Sequence, residues 1–360
     1  MKKLLIILLA FSMVVGLVAC APGEKPPEES KKPGETQGET QPPEQKKFLV
    51  GYSYPTRNNE FWTNCYNVAT EAAAALGVDM MIDDCNNDQA EQLADVESML
   101  AAGIDALILA PQDASVCPGI LSACKAKGIP AVVIDRWPGD DLKAGDDYIC
   151  FIGPNDEAAG YGIAKNLIDG GSTKIVGIGG FQNTSVAEGR YKGLVKAMDE
   201  HPNIELLQYE WAGEDMEVGD EYMRNLLSAK PELDGVWCYN DSLALASVNV
   251  LKEQNRTDVK VAGMDLLGPA IESMEKGELW SSTGGHYYMP GFALCILYDV
   301  LNGIEYDGAG KVLLDLLNVH RENLDDFKTK YQGADVAIDW VANTKVNNPN
   351  ASYTFILSLD

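Results

Sequence analysis

The sequence predicts an α/β protein built as two similar lobes, each a doubly wound parallel sheet, joined by a three-segment hinge. Three observations predict it. From Phe48 onward the apolar period switches repeatedly between two and about 3.6, with connections of a few residues, which is the mark of βαβ units and right-handed crossovers. The alternation restarts near Tyr148 without a low-complexity break, giving a second half like the first. Polar and aromatic residues recur just past the ends of successive strands, where an open α/β sheet opens into its ligand crevice.

In the first half, Phe48 to Ser53 reads as a strand and Asn59 to Leu76 as a helix stopped by Gly77. Val78 to Ile82 is a strand, Gln89 to Ala102 a helix closed by Gly103, Ala106 to Leu109 a strand and Ala114 to Lys127 a helix. Ala131 to Ile134 follows as a short, largely β-branched strand that delivers Asp135, Arg136 and Trp137 at its end. Tyr148 to Ile152 reads as a strand crossing between the halves. The second half then alternates helix and strand: Asp156 to Ile168, Lys174 to Ile178, Val186 to Asp199, Ile204 to Gln208 and Glu217 to Ala229. It continues through Gly235 to Cys238, Leu243 to Gln254, Val259 to Ala262, Gly268 to Lys276, Trp280 to Thr283 and Met289 to Asn302.

The 360 residues carry 54 acidic against 28 basic side chains, a formal net charge of -26, which argues against nucleic acid and anionic membrane surfaces as partners. Apolar residues make up 46%, enough for two real cores. Three histidines, His201, His286 and His320, stand far apart and the cysteines show no CxxC spacing, so neither a metal cluster nor a histidine-based triad is expected. Apart from Cys20, the cysteines read as buried small hydrophobes, with one disulfide possible and no pair indicated.

Lys2 and Lys3 precede an apolar run from Leu4 to Val18, a signal-peptide pattern too short for a transmembrane helix. The run ends Leu17-Val18-Ala19-Cys20, which resembles the lipobox of bacterial lipoproteins and implies that Cys20 is lipidated after cleavage. Two acyl chains suffice for stable anchoring. Residues 21–47, rich in Pro, Glu, Lys, Gly and Gln, read as a disordered tether whose length favours display on a single-membrane surface.

The strand-end residues form one set. They are Asn58, Asn59, Phe61 and Trp62 after the first strand, Asp135 and Arg136 after the fourth, Arg190 near a helix start, Asn240 and Asp241 after Val236-Trp237-Cys238, and Asp265 after Val261-Ala262-Gly263. Amides, carboxylates and guanidinium groups match hydroxyls that both donate and accept, and aromatic faces match the C–H face of a sugar ring. Taken singly, each of these residues also reads as a helix cap or surface group, Asn59 and Asp241 as N-caps.

Five segments in order resemble the periplasmic sugar-binding proteins of the ribose/galactose type, solute-binding components of ABC importers with the type 1 periplasmic-binding fold. They are Asn58-Asn59-Glu60-Phe61-Trp62, Ile134-Asp135-Arg136, Thr184 to Gly193 with Arg190, Tyr239-Asn240-Asp241, and Val261-Ala262-Gly263-Met264-Asp265. The resemblance spans Phe48 to about Gly303. It implies a monosaccharide held by Asn59, Phe61, Trp62, Asp135, Arg136, Arg190, Asn240 and Asp265, with hinge segments near Phe151, near Gly284 and after Gly303. Two places depart from the family. The family's aromatic falls by offset near Glu214, where Trp211 is the large aromatic at hand, and His286 stands where the family has a polar side chain near the second crossover. Trp211 and His286 therefore join the expected ligand set.

The expected lobes are residues 48–151 plus 286–312 and residues 152–285 plus 313–360. The tail after Gly303 is longer than the family's and carries no functional reading. The resemblance implies a monomeric, extracytoplasmic binding protein with no cofactor, no metal and no covalent chemistry, partnered by a monosaccharide and a membrane permease. A sugar or nucleoside sensor feeding a signalling receptor is the alternative. An enzyme reading would rest on Ile175-Val176-Gly177-Ile178-Gly179-Gly180, like a dinucleotide-binding turn, but Gln182 stands where that fingerprint needs glycine.

Overall fold

The computed structural model describes residues 47–331 and 338–359. The signal-peptide pattern, Cys20 and residues 21–46 of the tether lie outside the described residues.

The first lobe is a six-stranded sheet in the order β11-β5-β4-β3-β1-β2, formed by β1 (Leu49–Tyr54), β2 (Asp79–Asp84), β3 (Ala106–Leu109), β4 (Ala131–Ile134), β5 (Phe151–Pro154) and β11 (Lys311–Leu314). All its pairings are parallel. The second sheet runs β12-β10-β9-β8-β6-β7, from β6 (Lys174–Gly179), β7 (Glu205–Trp211), β8 (Gly235–Cys238), β9 (Lys260–Asp265), β10 (Ser281–Gly284) and β12 (Leu317–His320). It is parallel except for β12, which runs antiparallel to β10.

The helices are α1 (Glu60–Leu76), α2 (Gln89–Ala102), α3 (Cys117–Ala126), α4 (Asp156–Asp169), α5 (Ser185–Glu200), α6 (Met216–Ala229), α7 (Asp241–Glu253), α8 (Gly268–Glu275), α9 (Met289–Leu301) and α10 (Leu324–Tyr331). Local chemistry starts and stops them. Side chains of Asn59, Asp88, Asn155, Thr184 and Asn240 accept backbone N–H groups of the first turns of α1, α2, α4, α5 and α7. Gly77 and Gly103 end α1 and α2 with φ of 68° and 85°, a conformation that costs glycine little.

The chain passes between the sheets after β5, after β10 and between β11 and β12. Here the structure departs from two expected boundaries. β5 keeps residues 151–154 in the first sheet, and β11 carries that sheet to Leu314, because β11 pairs along β5 from Lys311 to Leu314. The tail departs further from the expected second-lobe assignment. After α10, which lies beside α8 and β12, residues 338–359 pack on α9 and α1 of the first lobe. Asp299 on α9 is fully buried and accepts from Lys345 N, Val346 N and Tyr353 Oη at 2.7, 2.9 and 3.0 Å. Phe355 stacks on Phe292 with centroids 4.2 Å apart, and Trp340 Nε1 donates to Glu71 Oε1 at 3.0 Å. A carboxylate buried on α9 needs donors, and the tail supplies them.

Seven cysteines among the described residues, Cys65, Cys85, Cys117, Cys124, Cys150, Cys238 and Cys295, are buried free thiols. Burial pushes each thiol up, Cys85 and Cys124 to about 11 and Cys117, Cys150 and Cys238 to about 12. They behave as core atoms rather than nucleophiles.

Candidate functional site

A cavity of about 50 Å³ lies between the strand ends of the two sheets. It is lined by Asn59, Phe61, Trp62, Asp135, Arg136, Val186, Arg190, Glu214, Tyr239, Asn240, Asp265 and His286.

Asn59 spends its Oδ1 on Phe61 N at 2.8 Å, so the cap that starts α1 also fixes the two aromatics that follow. Phe61 lies against the His286 ring, with centroids 4.5 Å apart and planes at 32°. It meets Trp62 edge to face at 5.1 Å. The Arg136 guanidinium stands 6.0 Å above the Trp62 ring and donates to Gln112 O at 2.6 Å, which braces it from below. These rings form an aromatic wall with cationic and imidazole edges.

Asp135 follows β4 with φ of 67°, an uncommon conformation for a non-glycine residue, and its N–H bonds Ile152 O at 2.9 Å. The turn aims a buried carboxyl at the cavity, 3.8 Å from Arg136 Nε. Burial raises its pKa, while Arg136 and Arg190 oppose that rise.

Arg190 reaches the cavity because α4 and α5 pack in near backbone contact. A Cβ on Gly160 would sit 1.9 Å from Arg190 O, so this crossing requires glycine. The guanidinium is 3% exposed, donates to Tyr239 O at 2.9 Å and to Asp156 Oδ1 at 3.1 Å, and lies 4.3 Å from the Tyr239 ring centre. Burial works against its charge, but Tyr239, Asp156 and Asp265 outweigh burial and hold it cationic. Asp156 is itself pushed up to about 7 by burial, against the pull of Arg190.

From the other strand ends come Asn240 and Asp265. Asn240 caps α7 through Oδ1 on Leu243 N at 2.9 Å and donates from Nδ2 to Glu214 O at 3.0 Å. Asp265 has φ of 123° and Leu266 φ of 57°, so backbone strain accompanies a carboxyl aimed at the cavity. Asp265 Oδ1 lies 3.5 Å from His286 Nε2. Burial raises Asp265 well above the usual carboxylate range, and burial followed by Arg190 holds His286 well below the usual histidine range. The imidazole is therefore neutral, and its buried Nδ1 has no hydrogen-bond partner among the described residues.

Of the residues expected from sequence, the structure brings Asn59, Phe61, Trp62, Asp135, Arg136, Arg190, Asn240, Asp265 and His286 together around this cavity. Trp211 is not among them. It ends the edge strand β7 and packs on Tyr191 and Tyr209 at 5.3 and 5.0 Å, outside the lining of the cavity. Glu214, three residues on, lines the cavity instead, with Val186 and Tyr239. The family offset falls near Glu214, and Trp211 is expected only as the large aromatic facing the probable cleft. The glycines of the dinucleotide-like turn serve packing. A Cβ on Gly179 would sit 2.0 Å from Tyr209 Oη, and one on Gly180 would sit 2.8 Å from the Tyr239 ring.

The model of the periplasmic binding protein domain matches residues 50–304. The chain belongs to that family. The ribose import binding protein of Bacillus subtilis is 28% identical over 78% of this chain and 86% of its own. A crystal structure of an ABC transporter solute binding protein from Mycobacterium smegmatis with bound glycerol is 28% identical, covering 78% of this chain and 96% of that one, with a TM-score of 0.69. A periplasmic sugar-binding protein from Pseudomonas fluorescens shares the fold at a TM-score of 0.76 and 23% identity, over 86% of this chain and 98% of that one. Membership in this family makes the chain a binding protein rather than an enzyme. The two-sheet architecture is the family's fold, with the matched region spanning both lobes.

Proposed function

We propose that this protein captures a monosaccharide, or a closely related polyol, between its two lobes and delivers it to the membrane permease of an ABC importer. The observation that carries the reading is the convergence of strand-end groups from both sheets on one cavity. Phe61 and Trp62 offer ring faces. Asp135, Asp265 and Glu214 offer carboxyl groups, Arg136 and Arg190 offer donors, and His286 Nδ1 offers a buried ring nitrogen with no partner among the described residues. A hydroxylated ring meets each of these needs. The ribose and sugar-binding relatives support the same ligand class.

The mechanism is closure. The lining residues come from both lobes, so a sugar enters with the lobes parted and is then enclosed as they close. The three crossovers after β5, after β10 and between β11 and β12 serve as the hinge. Ligand contacts made from both sides favour the closed form by their differential affinity. Lipidation at Cys20 would hold the receptor at the outer face of a membrane, with residues 21–47 as its tether and the domain acting as a monomer.

A thermal-shift screen of residues 47–360 against pentoses, hexoses, polyols and nucleosides tests the reading. A ligand that binds the folded state alone raises the melting temperature by mass action. A rise with one sugar that is absent in Asp135→Ala supports it, and no rise with any sugar or polyol overturns it.

A further inference from the structure

We infer that Glu60 is a closure latch, capping helix α8 of the opposite lobe and so holding the strained turn that carries Asp265. This goes beyond the proposed sugar binding and rests on it only for its purpose. Glu60 opens α1 in the first lobe, between the cavity residues Asn59 and Phe61. Its Oε1 accepts from Gly268 N at 2.8 Å, across 208 residues of sequence.

Gly268 is the first residue of α8, and the N-cap position, Leu267, has no side chain able to cap. The turn before α8 is otherwise secured within its own lobe. Leu266 N donates to Ser282 Oγ at 3.1 Å and Leu267 N donates to Asp241 Oδ2 at 3.0 Å. The next N–H in order is therefore met by the other lobe. A carboxylate at a helix N-terminus also interacts favourably with the helix dipole. Parting the lobes removes this cap, and closing them restores it. The turn concerned begins at Asp265 and Leu266, the two residues with positive φ, so the latch bears on the position of a cavity carboxyl.

Two substitutions reach the bond from opposite ends. Glu60→Ala removes the acceptor. Gly268→Pro removes the donor, and Leu267 already has φ of −67° and ψ of 151°, as a residue before proline requires. Because a Cβ there would also sit 3.1 Å from Glu60 Oε1 and Pro269 follows, its own cost is read in the Glu60→Ala background, where that oxygen is gone. Dyes on Glu97→Cys and Lys192→Cys, one exposed position on each lobe, report the closed-to-open ratio by single-molecule energy transfer without any sugar. Each single substitution is expected to lower that ratio about five- to tenfold, in the range of a lost cap. The double variant is expected to fall no further than either single one, and Glu60→Gln, which keeps an acceptor oxygen, to lose about two- to threefold. An unchanged ratio in Glu60→Ala, or additive losses in the double variant, would overturn the latch. Because no sugar is present, a failed sugar screen and a failed latch are separate results.

Discussion

The imidazole of His286, at the second crossover, lies against the ring of Phe61, at the start of α1, with centroids 4.5 Å apart. His286 also stands 3.5 Å from Asp265 in the second lobe. One side chain at the hinge thus touches the aromatic wall of one lobe and a carboxyl of the other. Burial and Arg190 keep it neutral.

A neutral, buried His286 sets the sign of one pH effect. Its folded-state pKa lies below the unfolded value, so the unfolded chain binds the extra proton as pH falls through about 6.5 and stability drops there. His286→Asn, which cannot take that proton, is expected to lose less melting temperature between pH 7 and pH 5 than the wild type. Equal losses in calorimetry would show that His286 protonates freely in the fold.

Asp241 predicts the opposite sign. It is fully buried, accepts from Ser282 Oγ and Leu267 N, and is pushed up to about 7 by burial. In the unfolded chain it ionises near 4, so the native state binds more protons between about pH 4 and 7 and the contribution is lost as pH rises through that window. Asp241→Asn should flatten the decline of stability across that window. Urea unfolding at pH 5 and pH 8 measures it, and an unchanged decline would count against Asp241 as its source.

Asp135 and Trp211 make a paired test of the site. Asp135→Ala is expected to leave circular dichroism unchanged and to weaken binding of the best sugar in the screen by roughly 10- to 100-fold, the cost of leaving buried groups unpartnered. Trp211→Phe should change affinity by less than about twofold, since its ring packs on Tyr191 and Tyr209 outside the cavity. Titration calorimetry compares them, and the reverse ranking would move the site toward β7.

The tail contributes stability rather than affinity. Trp340 is 3% exposed and bonds Glu71, so Trp340→Ala should cost about 3–5 kcal/mol. Affinity for the sugar should stay within about twofold. A variant that melts like the wild type would show that the tail does not secure the first lobe.

Much of this was legible in the chain because it is locally encoded. The alternation of periods marks strands and helices within a few residues. Asn59 is a cap as expected, while α7 is capped by Asn240 and the expected cap Asp241 is its first helical residue; caps fall at strand ends, where the ligand crevice of such a sheet also lies. Asp135 and Arg136 follow directly from a strand recognisable by its β-branched residues. The recurrence of polar groups at those ends was therefore readable before any contact was known.

Tertiary structure decided what depends on partners distant in sequence. Whether Trp211 or Glu214 faces the cleft depends on β7 being an edge strand with Tyr191 and Tyr209 beside it. The tail joins the first lobe because Asp299 is buried there and takes donors from Lys345, Val346 and Tyr353. Glu60 meets Gly268 only because the lobes close on one another. A sequence records the hydrophobic period and the cap of each element by itself, whereas the pairing of a buried carboxylate or an uncapped helix is settled by whichever distant segment the packed fold brings within hydrogen-bond reach.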